Sequence, residues 1–265
     1  MGARKRIRQF LMGGGRVPGQ TQYATYRMGA CEILGAAAMG MGIAGLVAYT
    51  FYRSVIAFLL LSPFALLFVW YWGRLLGEKR RKRLRSEFKE GITLLAASLQ
   101  AGYSLENAIG QSAAELKDMF GEDSLMAGEF GYIHGQIGQN RQAEELIRAF
   151  GERSALKDVV TFANVLALAK RSQGELVPII RHTAQVIGDT IRVEEEIETV
   201  TAAKRMEQKV MACIPFGIVL YLNAASGDFF SVMYEGAAGR ILMSVFLGLY
   251  VLAQVLAVKI LDIEV

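Results

Sequence analysis

The stretch RLLGEKRRKRLR, residues 74–85, decides how this chain is organised. It holds seven Lys or Arg residues and one Glu, and it directly follows a long apolar run. A dense group of basic residues beside a membrane span is retained on the cytoplasmic side of the membrane. The residues before this basic collar (residues 74–85) are therefore predicted to form a tail and a membrane hairpin, and those after it a cytoplasmic body.

The composition favours a membrane protein over a nucleic-acid-binding protein. Of the 265 residues, 53% are hydrophobic, which is more than an ordinary soluble domain contains. The net charge of +4 is unevenly spread: residues 1–28 hold six basic residues and no acidic one, and the collar adds a net +6. Because this charge lies beside apolar spans and not on a folded basic face, membrane orientation explains it better than nucleic acid does.

The first membrane hairpin is predicted to cover residues 29–73. Its spans are residues 30–51 and about 55–73, which are long enough to cross the hydrocarbon core, and Pro63 is expected to kink the second. One face of the first span carries small residues that let another membrane helix approach closely. This helix-packing stripe consists of Gly35, Ala38, Gly42 and Gly45.

The second hairpin is predicted to cover residues 210–261. Its spans are about 210–225 and 241–260, and Pro215 is placed where the first of them could bend. With both hairpins entering from the cytoplasm, residues 1–28 and 262–265 are cytoplasmic tails. The fold class expected is thus all-α, with four transmembrane helices in two hairpins flanking one cytoplasmic helical bundle.

Residues 74–209 contain no apolar run that could cross a membrane, and their apolar residues recur at helical spacing. Gly102 is predicted to stop one helix, and Ser104 to cap the next, with Glu106 in its first turn. The last helix is predicted to begin near Glu175 and to run through a strongly polar stretch into the third span. Such a helix would couple the cytoplasmic body mechanically to the membrane.

The sequence lacks the residue patterns typical of an enzyme or a metal site. His134 and His182 each lie on a predicted helix without a second ligand three or four residues away. Cys31 and Cys213 lie in or beside apolar runs, and no CxxC occurs. Phosphate-loop and hydrolase motifs do not occur either. We therefore expect no catalytic residue, no metal and no cofactor.

One structural cation site stays open as an alternative. The acidic runs Glu122-Asp123 and Glu194-Glu195-Glu196 could attract a divalent cation. Runs of this kind are more often solvated faces of helices, and that interpretation is favoured.

Three segments, taken in order, resemble the type II secretion F-protein domain. They are FKEGITLLAASLQAGYSLENAI at 88–109, SQGELVPIIRHTAQVIGDTIR at 172–192, and CIPF at 213–216. The likeness covers about residues 86–225, more than half of the chain. Each motif alone is loose, whereas their order and spacing together are fairly specific.

The finer resemblance is to the platform proteins of Tad/Flp pili. The characteristic turns are Leu99 to Ile109 and Gly174-Glu175-Leu176, and the chain has one copy of the domain between two hairpins, closing on the tail Ile260 to Val265. The family often has Gly near 139–141, where this chain has Gln139-Asn140-Arg141. Asn tolerates the same left-handed backbone conformation.

This resemblance implies a non-enzymatic inner-membrane platform of a pilus or type II secretion machine. Such proteins contact a cytoplasmic assembly ATPase and pass its motion to pilin or pseudopilin subunits that are extracted from the membrane. Membrane lipids and a homologous platform subunit, in a homo- or hetero-oligomer, are further expected partners; nucleic acid is not one.

Four collar residues are candidates for contact with the ATPase, namely Arg80, Arg81, Lys82 and Arg83. The favoured alternative is that they only set topology and bind anionic lipid, at about 1 kcal/mol each. The turns at Gly102 and Gly174-Glu175 are interpreted as determinants of the fold and not as contact points.

Two other classes of function stay open. One is a small membrane transporter or channel subunit, against which the scarcity of charge inside the spans argues. The other is a membrane-anchored regulatory protein whose helical body senses a ligand.

Overall fold

The chain is all-helical throughout the part that the computed structural model describes, namely residues 21–23, 26, 28–52, 54–171, 176–225 and 236–261. No strand occurs among these residues, which confirms the predicted all-α class. The predicted turn residues Gly174 and Glu175, and the tail residues 1–20 and 262–265, lie outside them. In chain order the described helices are α1 (Ala30–Phe51), α2 (Val55–Leu61), α3 (Phe64–Gln100), α4 (Leu105–Phe120), α5 (Leu125–Ile137), α6 (Ala143–Ser154), α7 (Lys157–Arg171), α8 (Leu176–Ala225) and α9 (Ala237–Leu261).

Two of these helices are long and apolar enough to cross a membrane. They are α1 and the stretch Ile241–Ile260 of α9, which coincide with the first and fourth predicted spans. Helices α2 and α3 meet at a 42° bend and provide a third crossing if they act as one broken span. Because Pro63 lies in this break, the kink predicted there is confirmed.

The third predicted span, residues 210–225, lies at the end of α8 and does not meet the same test of length and composition. At 1.5 Å per residue this helical end measures about 24 Å, whereas the hydrocarbon core is about 30 Å thick. The described apolar stretch is therefore shorter than a full crossing.

The chain divides into two compact units. The bundle unit contains Gly73–Val193 together with the segment that ends at Ala30, and the membrane unit contains Cys31–Trp72 and Glu194–Val265. The bundle thus ends at Val193, whereas the sequence suggested residue 209. The reason is that the side chains of residues 194–209 are largely exposed and contribute nothing to the bundle core.

The core of the bundle unit is formed by apolar side chains that recur at helical spacing on α3 to α8. The edge of the Phe88 ring meets the face of Phe162 with centroids 5.9 Å apart, which joins α3 to α7. The largest buried side chains are Leu84, Phe88, Ile92, Leu95, Ile109, Leu116, Met126, Phe130, Ile133, Ile147, Phe150 and Phe162.

Local sequence signals account for the boundaries of the bundle helices. The Ser104 hydroxyl accepts a hydrogen bond from Asn107 N and so caps α4, as predicted. Helix α3 ends just before Gly102, whose φ of +91° favours glycine. There, Tyr103 N donates to Ser98 O and Gly102 N to Leu99 O, the hydrogen-bond pattern of a Schellman motif.

Candidate functional site

The basic collar lies on α3, and several of its side chains are engaged inside the bundle unit. Arg83 Nε lies 2.7 Å from Glu87 Oε1, and the same guanidinium donates to the backbone carbonyl of Asp123. Arg85 pairs with Asp158 at the start of α7. These contacts fasten α3 to neighbouring elements, so this part of the collar stabilises the bundle.

The buried carboxylate of Glu87, whose side chain is only 1% exposed, accepts hydrogen bonds from several groups of the bundle in addition to Arg83. Its Oε2 accepts hydrogen bonds from the Ser124 hydroxyl at 3.0 Å, from Leu125 N at 2.6 Å and from Met126 N at 3.0 Å. A carboxylate at this position also meets the positive end of the α5 dipole. Glu87 therefore acts as a second cap of α5, supplied by α3.

Arg80, the first of the four predicted contact residues, lies against Tyr23. Its guanidinium carbon is 5.0 Å from the centroid of the Tyr23 ring, within the range of a cation–π contact. Arg80 is therefore engaged inside the bundle unit. Arg81 is half-buried, and Lys82 and Arg83 are exposed, so Arg83 reaches the surface although it pairs with Glu87.

Tyr23 is part of the bundle core, in a region where the sequence indicated a cytoplasmic tail. It is 4% exposed, and its hydroxyl donates to Glu129 Oε1 at 2.9 Å. Arg153 Nη2 lies 3.0 Å from Glu129 Oε2, and the Tyr23 ring meets Phe150 edge-on with centroids 6.4 Å apart. Burial, and secondly the charge of Glu129, raise the pKa of Tyr23 far above its ordinary value. The hydroxyl consequently stays protonated and remains a donor.

Sequence reasoning, which placed Tyr23 in the basic tail of residues 1–28, did not foresee this burial. The signal that could have revealed it is weak, because Tyr23 and Tyr26 lie in a polar stretch without helical periodicity. Its buried partner Glu129 was also overlooked, because a Glu on an amphipathic helix is ordinarily solvated.

Within the membrane unit, the predicted hinge residue Pro215 lies inside α8 at a meeting point of three helices. The Phe216 ring contacts Phe51 of α1 and Tyr250 of α9, with centroids 5.9 and 5.3 Å apart. The Tyr250 hydroxyl donates to the carbonyl of Ala212 at 2.7 Å. A proline removes the N–H that would bond the carbonyl four residues earlier, which is here the carbonyl of Met211. Tyr250 donates to the next carbonyl, that of Ala212, and so ties α9 to this turn of α8.

We predict that Tyr250→Phe destabilises the membrane unit by about 1–2 kcal/mol because it removes this interhelical donor. Unfolding of the purified full chain by SDS in bicelles measures the change. Tyr52→Phe, which removes an exposed hydrogen bond to Ser244 at 2.8 Å, is the matched control. Equal destabilisation by Tyr250→Phe and Tyr52→Phe would contradict this role of the Tyr250 hydroxyl.

The small-residue stripe predicted on α1 is not the one that packs within the chain. Gly40 packs against Ala65, where an added Cβ would come within 3.2 Å of the backbone. The packing face is a neighbouring stripe, formed by Ala36, Gly40, Ala44 and Ala48. Of the predicted stripe, Gly45 touches Phe58, whereas Gly35, Ala38 and Gly42 are exposed.

The described residues hold no group of three or more His, Cys, Asp or Glu side chains that could bind a metal ion. His134 packs over Gly110, and its Nδ1 lies 3.0 Å from the carbonyl of Glu106. Cys31 and Cys213 are both exposed and not joined in a disulfide. In the first of the two acidic runs, Glu122 forms an ion pair with Lys117 at 2.9 Å.

Comparison of the chain with protein-family models, with curated proteins and with solved structures finds no match.

Proposed function

We propose that this chain is a platform protein of the inner (cytoplasmic) membrane in a Tad/Flp-type pilus or type II secretion machine. In this role it couples a cytoplasmic assembly ATPase to the extraction and polymerisation of pilin subunits. The motifs at 88–109, 172–192 and 213–216 support the assignment by their order along the chain. The protein itself makes and breaks no covalent bond.

The observation that carries this proposal is the 50-residue helix α8. It begins in the bundle unit, where Ile180, Ile187 and Ile191 are buried, and it ends in the membrane unit beyond Pro215. A continuous helix transmits displacement along its axis, because each turn is held by backbone hydrogen bonds. A body that receives force from an ATPase could pass it to the membrane along this helix.

The proposed topology has four transmembrane helices, with both termini in the cytoplasm. The collar sets this orientation, because positive charge next to a span stays on the cytoplasmic side. The bundle unit then faces the ATPase. Pilin subunits and a second platform subunit would contact the membrane helices, where the small residues Gly35, Ala38 and Gly42 are exposed.

The collar side chains that reach the surface are the proposed contacts with the ATPase or with anionic lipid headgroups. Lys82 and Arg83 are exposed and Arg81 is half-buried, whereas Arg80 lies against Tyr23. Contact with lipid is worth about 1 kcal/mol per basic residue and would also support the proposed orientation.

A transporter function is less well supported than the platform role. In the two helices that are apolar enough to span a membrane, charge occurs only near the ends, at Glu32 of α1 and at Arg240 and Lys259 of α9. Charged groups inside the bilayer often mark the paths of ions and solutes. The interiors of these two described spans carry none.

Deletion of the gene tests the proposal. We expect surface pili to disappear while pilin is still synthesised, and expression of the intact chain to restore them.

The chain purified from membranes under mild conditions should carry an assembly ATPase with it, and an Arg81→Glu/Lys82→Glu variant reports whether these residues are the contact. Normal piliation of the deletion strain would refute the platform role, and transport of a solute by the purified chain in liposomes would favour the alternative.

A further inference from the structure

The described residues that precede α1 contact the bundle unit at three points. We call residues 21–29 the strap; its described members are Thr21 to Tyr23, Tyr26, Met28 and Gly29. Tyr23 lies in the bundle core next to Arg80, Tyr26 lies beside Gly77, and Met28 lies beside Gly73. From Tyr23 to Met28, the contacts of the strap on α3 run from Arg80 back to Gly73. The strap and α3 are therefore antiparallel.

Two glycines of α3 provide the groove for the strap. Gly73 and Gly77 are four residues apart and lie on one face of the helix. A Cβ at Gly77 would come within 3.2 Å of Tyr26 Cβ, and a Cβ at Gly73 within 2.8 Å of Met28 Sδ. A side chain at Gly77 would require Tyr26 to shift by a few tenths of an ångström, and one at Gly73 would require the flexible Met28 side chain to move, so glycine allows the closest approach of the strap at both positions.

Tyr23 anchors the far end of the strap through both backbone and side chain. Its N–H donates to the carbonyl of Arg153 at 3.0 Å, and its hydroxyl donates to Glu129. Its ring lies between the Arg80 guanidinium and Phe150. Removing Tyr23 would leave the buried Glu129 carboxylate with one donor fewer and would expose apolar surface, and both changes are unfavourable.

From these contacts we propose that the strap is a permanent brace, in which Tyr23 is the positioning residue. It holds the segment that ends at Ala30, the first residue of α1, to the bundle unit. This inference concerns the chain itself and stands whether or not the protein serves a pilus.

An engineered disulfide between strap and groove tests the brace. Tyr26→Cys and Gly77→Cys are combined in a chain whose exposed native cysteines are replaced by Cys31→Ser and Cys213→Ser. The Cβ separation of 3.2 Å requires only a small shift to reach the ~3.5–4.5 Å of a disulfide. We expect oxidation in native membranes to form the bond nearly completely, measured as loss of labelling by a polyethylene glycol maleimide.

The matched control pairs Gln22→Cys with Gly77→Cys, because Gln22 is exposed and belongs to the Tyr23 end of the strap. This pair will stay reduced and fully labelled. A Tyr26–Gly77 pair that also stays reduced would overturn the proposal.

In a strain that assembles pili, the chain with the oxidised disulfide is expected to support assembly as well as the reduced chain does. A block of assembly that a reductant reverses would show that the strap must leave the groove, and would equally overturn the proposal.

Substitution of Tyr23 provides a second measurement on the same disulfide. Tyr23→Ala is expected to slow its formation about tenfold, since the strap loses its anchor and opens more often. Tyr23→Phe keeps the ring and will lie between this variant and the parent, which distinguishes positioning by the ring from a general loss of folding. Gln22→Ala will leave the rate unchanged. An unchanged rate in Tyr23→Ala would remove Tyr23 from the brace.

Discussion

Replacing Glu87 by alanine is expected to destabilise the bundle unit by about 3–5 kcal/mol. The buried carboxylate serves three donors at the start of α5, from Ser124, Leu125 and Met126, and also binds Arg83. Alanine leaves these donors without an acceptor in a place that water cannot easily enter, and each unsatisfied donor costs about 1–3 kcal/mol. Thermal unfolding of the purified full chain, followed by far-ultraviolet circular dichroism, should shift downwards by on the order of 10–20 °C.

Glu90→Ala is the matched control, because it makes the same chemical change one turn further along α3. The Glu90 side chain is 37% exposed, and its Oε1 lies 3.8 Å from Lys89 Nζ. A long, partly exposed ion pair of this kind contributes at most about 1 kcal/mol. Equal shifts for Glu87→Ala and Glu90→Ala would show that α5 does not depend on the cap supplied by α3.

The helices of the bundle were predictable because their signals are local. Ser104 caps the helix that follows it, and the apolar residues repeat at the spacing of one helical face. Asn140 adopts the left-handed conformation, with φ of 68°, in the turn where the resembled family often has glycine. Each of these features is read from a few neighbouring residues, so no knowledge of the tertiary structure is needed.

The contacts of Tyr23 could not be predicted in the same way, because they join residues far apart in the chain. Its partner Glu129 is 106 residues away, and neither residue stands out locally. The collar presents the same difficulty. Its density of positive charge indicates orientation, but only the structure shows that Arg83 pairs with Glu87 and that Arg80 lies against Tyr23.

The choice between two small-residue stripes on α1 was undecidable for a different reason. Small residues occur on more than one face of this helix, and the pattern of one helix cannot say which face meets a partner. The position of Ala65 and Phe68 on α3 selects Gly40 and its neighbours at intervals of four residues. The predicted stripe is left largely exposed.

Ala203→Pro is expected to abolish pilus assembly while leaving the bundle unit folded. Ala203 is exposed in the polar part of α8, between the buried residues of the bundle and the membrane end of the helix. Proline removes the hydrogen bond to the Thr199 carbonyl and clashes with it, which costs about 3 kcal/mol in a helix interior. Water can hydrate the freed carbonyl here, so α8 will bend or become mobile at this point and no longer transmit axial displacement.

The natural Pro215 does not make the same joint, because Tyr250 donates to the carbonyl of Ala212 and the Phe216 ring packs between two other helices. Ala203→Gln, which keeps the helix and adds only an exposed polar side chain, should assemble pili normally. The measurement is surface piliation at matched membrane levels of the protein, together with the unfolding midpoint of the bundle. Normal piliation of Ala203→Pro would mean that force does not travel along α8, whereas equal loss in both variants would point to a contact surface at this position instead of a rigid link.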